Sequence, residues 1–332
     1  MTTRRVFLKG VASIAGAASL PNLAMAAPSD TINYGGSSWI GHYPAYVGIK
    51  SGLFASRGLD VKWQSFGTSS ARMSAILSGN IDVACTGIVS ALALMSRGSR
   101  HFSIIGTPED FGRVEGLFVR SNVQSVHGLK GKKIGVTFAS SSHVLVMDVL
   151  AAAGIDPERD VSLLNVPAPE LAAAYQAKQI DAAAVWTPHF NRVRGMPDTK
   201  LLVDDTAFSL HKQYGVTPGP DVLVVRRDFA TKNSDAVKKF LTAYFDACVM
   251  LRTKPEQAAK FLTELTNLSL DEQVATIKEA EWYDAAQQKA LFGPSGKYVD
   301  GLQKLAEMLA RFKQIDKAPA VREWVDAAYI PS

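Results

Sequence analysis

The chain has 332 residues, 47% of them hydrophobic, with 36 Lys and Arg against 31 Asp and Glu and a formal net charge of +5. That length exceeds what one hydrophobic core usually serves, so two domains are expected. Removing residues 1–26, which carry Arg4, Arg5 and Lys9 and no acid, lowers the charge by three, from +5 to +2; so even a balance gives no support to nucleic-acid binding.

Those first 26 residues read as a segment apart from the fold. Arg4-Arg5 with Val6-Phe7-Leu8-Lys9 resembles a twin-arginine export signal, an apolar run spans Val11 to Leu20, and Leu23-Ala24-Met25-Ala26-Ala27 has small residues at A-x-A spacing. The run is short and rich in Ala and Gly for a membrane span. The expectation is a soluble exported protein beginning near Ala27 and residing in the periplasm; no Cys precedes Cys85, which argues against a lipid anchor. Cys85 and Cys248 are expected as two separate buried thiols, although export would permit a disulfide.

From Thr31 on, strand-like and helix-like runs alternate, which predicts an α/β chain with mainly parallel sheets. Strands are expected at 31–34, 58–63, 81–85 and 101–105, with helices at 43–51 and 70–78 and another beginning at 86–90. Glu115 to Arg120 reads as a strand leaving this unit. A second unit follows, with strands at 133–136, 161–164 and 182–186 and helices beginning near Ser142 and Pro169. Asp221 to Arg226 reads as the returning strand, and about 233–332 is mostly helical. No Pro/Gly-rich tether and no internal repeat is visible, so the chain is expected to cross by strands, with Phe118–Arg120 and Leu223–Val225 as hinges. The domains are then 27–119 with 225–332, and 120–224.

Ligands of open α/β sheets bind beyond the carboxyl ends of strands. Those ends carry Gly35 to Trp39, Thr86 to Ser90, Ser140 to Ser142, and Trp186-Thr187-Pro188: small residues, hydroxyls and two indoles, which suit a small polar ligand. Ser140, Ser141 and Ser142 open a helix, whose unpaired N–H groups and partial positive charge can hold an anionic oxygen group without Arg or Lys; a plain Ser cap is the other reading. Glu115 and Asp221 sit at the crossing strands, where they either face an ammonium group or are structurally paired acids. The pattern offers no catalytic or metal constellation. There is no G-x-S-x-G elbow and no P-loop, His42 and His189 are isolated, and His143 follows the serines too closely to face them.

Several segments carry a family likeness: Tyr43-Pro44-Ala45-Tyr46-Val47-Gly48-Ile49-Lys50-Ser51-Gly52-Leu53-Phe54 with Gly58-Leu59-Asp60-Val61, Leu77 to Val83, Leu129 to Val136, and Lys178 to Ala183. Together they resemble the substrate-binding proteins of ABC importers in the nitrate/sulfonate/taurine group. Phe138 to His143, Ala184 to Pro188 and Pro220 to Val225 resemble the taurine-binding branch. The resemblance implies a bilobal type II periplasmic-binding-protein fold, two doubly wound sheets joined by two hinge strands and closing on a ligand. It implies a monomer without a cofactor, delivering taurine or a related small sulfonate to a permease driven by a separate ATPase. Ser140, Ser141 and Ser142 would take the sulfonate with Gly87, Ile88 and Val89 from the other lobe. Asp221 and Glu115 would take the ammonium, and Trp186 and Trp39 would wall the site. Ile88 and Val89 stand where the taurine-type pattern has hydroxyls, and the Gly35–Trp39 loop is bulkier. A longer or aromatic sulfonate, nitrate or a carboxylate is therefore the alternative ligand, and a pyrimidine-synthase-like enzyme the alternative function.

Overall fold

A computed structural model describes residues 30–187 and 189–331. The expected export segment and Pro188 lie outside them. In chain order the first lobe opens with β1 (Asp30–Gly36), α1 (Tyr43–Lys50), β2 (Leu59–Ser65), α2 (Ser69–Ser78), β3 (Val83–Gly87), α3 (Ile88–Ser96) and β4 (Phe102–Gly106). After the two-residue β5 (Glu109–Asp110) come β6 (Glu115–Arg120), β7 (Lys133–Val136), α4 (Ser141–Ala152), β8 (Ser162–Asn165), α5 (Ala168–Gln176), β9 (Ala182–Trp186), α6 (His189–Arg194), β10 (Thr199–Asp204) and the single turn α7 (His211–Tyr214). Then β11 (Asp221–Arg226) returns, and the helices α8 (Arg227–Lys232), α9 (Ser234–Thr253), α10 (Pro255–Thr266) and α11 (Leu270–Ile277) follow. The short β12 (Glu281–Trp282), α12 (Ala285–Phe292) and α13 (Tyr298–Arg311) complete the chain's longer elements.

Two five-stranded sheets have the orders β2-β1-β3-β11-β4 and, read from its other edge, β8-β7-β9-β6-β10. They share one plan. Four strands run parallel, and the fifth, inserted between the third and fourth, runs against its two neighbours: β11 in the first sheet and β6 in the second. Each inserted strand enters from the other lobe, starts at the cleft and runs outward, so its direction opposes the strands that end at the cleft. Helices cover both faces of each sheet, which is why β11 is apolar from Val222 to Val225. Leu223 and Val225 join Cys85 in the core under α1 and α9, while Val222 and Val224 join Ala84 in the core under α3 and α13.

The expected hinge strands are corrected by this topology. Phe118–Arg120 lies inside β6, which pairs with β9 and β10, and Leu223–Val225 lies inside β11, which pairs with β3 and β4. Neither strand is shared between sheets, so the limits at 119/120 and 224/225 cut through strands. The chain crosses earlier, through 107–114 and 205–220. Each crossing carries the breakers expected of a connection, Pro108 and Gly112 in one and Pro218-Gly219-Pro220 in the other.

Candidate functional site

A cavity of about 470 Å³ lies between the lobes, where the parallel strands end and β6 and β11 begin. Two buried carboxyls face it from equivalent places. Asp221, the first residue of β11, pairs with Gly87 at the end of β3; Glu115, the first residue of β6, pairs with Trp186 at the end of β9.

On the first-lobe wall, Asp221 is 4% exposed and its Oδ2 accepts the Trp39 Nε1–H at 2.7 Å. Burial pushes its carboxyl up to about 6, against the pull of the Arg72 charge and the Trp39 bond. Arg72 comes from the buried face of α2, next to Met73 and Ile76, and is itself 4% exposed. Its Nη2 donates to Ser69 Oγ at 3.0 Å and its Nη1 to the Phe66 carbonyl at 3.4 Å, leaving Nε buried without a partner. Ser69 Oγ also accepts the Gly87 N–H at 3.3 Å, tying the starts of α2 and α3 together.

On the second-lobe wall, Ser140 caps α4. Its Oγ accepts the His143 N–H at 3.3 Å and donates to the Thr137 carbonyl at 2.6 Å. Ser141 Oγ donates to Glu115 Oε1 at 2.7 Å, and Ser142 Oγ donates to the same oxygen. Burial raises the Glu115 carboxyl to about 7, opposed by those two hydroxyls. His143 is a packing and capping residue: its Nδ1 accepts the Ala139 N–H at 3.3 Å and its ring stacks on Phe138 with centroids 4.6 Å apart.

Eight of the ten sequence-predicted residues line this cavity: Trp39, Gly87, Val89 and Asp221 from the first lobe, and Glu115, Ser140, Ser141 and Trp186 from the second. Two do not. Ile88 turns into the core under the first sheet, fully buried beside Leu92 and Ile104, because it begins α3 and its neighbours on either side take the cleft face. Its N–H is already used by the Pro220 carbonyl at 2.9 Å. Ser142 is fully buried behind Ser141, and its hydroxyl serves Glu115.

The sequence reading missed Arg72, Asp205 and Thr217, all of which line the cavity. An arginine amid the apolar stripe of α2 was the available signal for Arg72. Burial and the neighbouring Glu115 charge push the Asp205 carboxyl up to about 9. The cavity thus holds a guanidinium besides the serine hydroxyls and helix start expected there. An outer compartment of about 680 Å³ adjoins the cavity, sharing Trp39, Gly67 and Trp186 with it and continuing past Phe66, His189 and Leu265.

His42 is not isolated, as its sequence position suggests. It is fully buried behind Asp221, Nδ1 lies 2.8 Å from Ser37 Oγ, and Nε2 has no partner. One ligand atom each from His42, Cys85 and Asp221 lies within 4.8 Å of the others. Cys85 and Cys248 are both buried free thiols.

Residues 39–258 match the family profile "NMT1/THI5 like". The chain belongs to this family. It is 31% identical over 289 residues to the taurine-binding periplasmic protein of Escherichia coli (strain K12), covering 84% of this chain and 85% of that one. It is 26% identical over 279 residues to a putative aliphatic sulfonates-binding protein of Bacillus subtilis (strain 168), covering 83% and 79%. Among solved structures, the periplasmic aliphatic sulphonate binding protein SsuA from Escherichia coli superposes with a TM-score of 0.74 at 19% identity, over 89% of this chain and 97% of that one. The fold is therefore the two-lobed one of periplasmic binding proteins. A desulfurization enzyme, DSZB, shares it, with a TM-score of 0.66 at 14% identity over 91% and 97%. No described helix is long and apolar enough to cross a membrane.

Proposed function

We propose that this protein is the periplasmic solute-binding component of an ABC importer, capturing taurine or a related small sulfonate between its lobes. The observation that carries the reading is Arg72: a buried guanidinium with an unpartnered Nε in the interlobe cavity, across from the start of α4. An anionic head there meets a fixed charge from one lobe and the N–H groups of α4, with the Ser140 and Ser141 hydroxyls, from the other. Of the three carboxyls lining the cavity, Asp221 and Glu115 start the inserted strands and would meet an ammonium group, and Trp39 and Trp186 form apolar walls. The 31% identity to a taurine-binding protein supports the same ligand class.

The ligand is bound and released unchanged. Ser141 and Ser142 donate to a carboxylate rather than to a histidine, and His143 Nδ1 is occupied by a backbone N–H, so neither serine at the start of α4 is paired with a histidine base. The importer reading further carries a monomer, exported to the periplasm and docking on a permease served by a separate ATPase. A second ligand reading, an alkyl or aryl sulfonate with a longer tail, rests on the outer compartment beyond Trp39 and Trp186.

A thermal-shift and calorimetric screen of taurine, alkanesulfonates, aryl sulfonates, nitrate and small carboxylates tests both. At 100 times Kd, linkage stabilises by about 2.7 kcal/mol, a rise of several degrees in Tm. A shift with taurine but not aryl sulfonates supports the first ligand reading, the reverse supports the second, and no shift with any compound overturns the proposal.

A further inference from the structure

Behind the cleft wall of the first lobe, polar atoms gather that the ligand reading leaves unused. His42 Nε2, Tyr34 Oη, Tyr244 Oη and both Glu109 oxygens are buried without partners. Buried polar groups in folded proteins are almost always satisfied, by protein, water or an ion. His42, Cys85 and Asp221 converge here from three elements: the turn before α1, the middle of β3 and the start of β11. Leu223 is the register partner of Cys85 and Asp221 lies two residues before it, so Cys85 and Asp221 share one sheet face, and His42 lies over that face.

We propose that His42 Nε2, Cys85 Sγ and an Asp221 carboxylate oxygen form a buried site for a divalent transition metal of the zinc class. An imidazole nitrogen, a thiolate and a carboxylate are the donors such an ion takes, with water in the fourth position. Their 4.8 Å span closes to the roughly 3.3–3.7 Å between donors of a tetrahedral zinc centre by a shift of about 1 Å. The imidazole has a second partner that suits this role. Ser37 Oγ lies 2.8 Å from Nδ1, and in the tautomer whose Nδ1–H donates to that hydroxyl the Nε2 lone pair is left for the metal.

The charges balance as well. The metal's two positive charges are offset by the Asp221 carboxylate and the Cys85 thiolate it would take as ligands. On binding, the Cys85 thiol gives its proton to solvent as the S–metal bond forms. The ion would tie together the elements that carry Trp39, Gly87 and Asp221, without itself lining the cavity.

The test uses the whole mature protein, reduced, stripped with a chelator and titrated anaerobically with Co²⁺. One equivalent should bind, giving the intense visible bands of a four-coordinate ion and a thiolate-to-cobalt charge-transfer band in the near ultraviolet; Zn²⁺ should displace it and raise Tm. Cys85→Ser and Cys85→Ala should lose the charge-transfer band and weaken Co²⁺ at least tenfold, whereas Cys248→Ser should keep both. No stoichiometric uptake overturns the proposal, as does a six-coordinate spectrum unchanged in Cys85→Ser. Because the readout is the metal spectrum, it stands or falls separately from the sulfonate screen.

Discussion

The two lobes share a strand plan and differ in what they bring to the cleft. Each places a carboxyl at the first residue of its inserted strand, Asp221 on β11 and Glu115 on β6. Asp221 sits near a guanidinium and accepts an indole N–H; Glu115 has two serine hydroxyls and no cation. Arg72 is the one lining residue of the described cavity with a fixed positive charge. The first lobe thus supplies charge and the second supplies dipoles. A ligand anchored by charge on one side and by helix-start N–H groups on the other must be gripped by both, which couples binding to closure.

The largest test of that division removes the charge. Arg72→Met should weaken an anionic ligand by about 10²–10³-fold, the range for breaking a buried charge interaction. Ser141→Ala on the opposite wall should cost only about three- to tenfold, as for loss of a single neutral donor. Isothermal titration of both variants with the same sulfonate makes the comparison, with Tm recorded to confirm folding. Equal losses would show that the lobes grip the ligand alike.

Much of the fold was legible because interior strands advertise themselves: Val222 to Val225 is a continuous apolar run, as a strand covered on both faces must be. The crossings were misplaced for the same reason, since those runs attract attention while the breakers ahead of them, such as Pro218-Gly219-Pro220, carry the actual turn. The strand β10 went unread. It is an edge strand, half-buried along its length, and its pairing with β6 depends on a segment about 80 residues away. In the cleft, strand ends announced Ser140, Ser141, Gly87 and Trp186. Arg72 showed only as a charge amid the apolar stripe of α2, because its role comes from standing near Asp221, 149 positions along the chain. The meeting of His42 with Cys85 is of that kind too: spacing rules see local clusters, and this one is assembled by the sheet.

A second test uses the difference in carboxyl environment. The Glu115 pKa is raised to about 7 from 4.5. Between those values the native state holds a proton that the unfolded chain has released, so stability falls as pH rises through this window and levels off above it. The whole effect is on the order of 3 kcal/mol. Glu115→Gln should flatten that part of the stability profile, gaining on the parent above pH 7 and matching it below about 4.5, measured by denaturant unfolding. Ligand binding reads the same group with opposite signs. An amine-free sulfonate should weaken about tenfold from pH 6 to 8 as Glu115 ionises against it, whereas an ammonium-bearing ligand should tighten. The same sign for both would remove Glu115 from contact with the ligand and leave the second lobe contributing dipoles alone.

The smallest effect isolates the start of α4. Ser140 Oγ accepts from the His143 N–H, so Ser140→Ala removes a cap at a typical cost of about 1 kcal/mol. That loss falls on folding whether or not a ligand is present. The same substitution frees the His143 N–H, a donor that then competes for a bound oxyanion. If the α4 start holds the anion mainly through backbone N–H groups, Ser140→Ala lowers stability while changing affinity by less than about threefold. If the Ser140 hydroxyl itself grips the ligand, affinity falls further than stability does. Chemical denaturation of the free protein and titration calorimetry of the complex separate the two, and decide whether the second lobe recognises its ligand by side chains or by the peptide backbone.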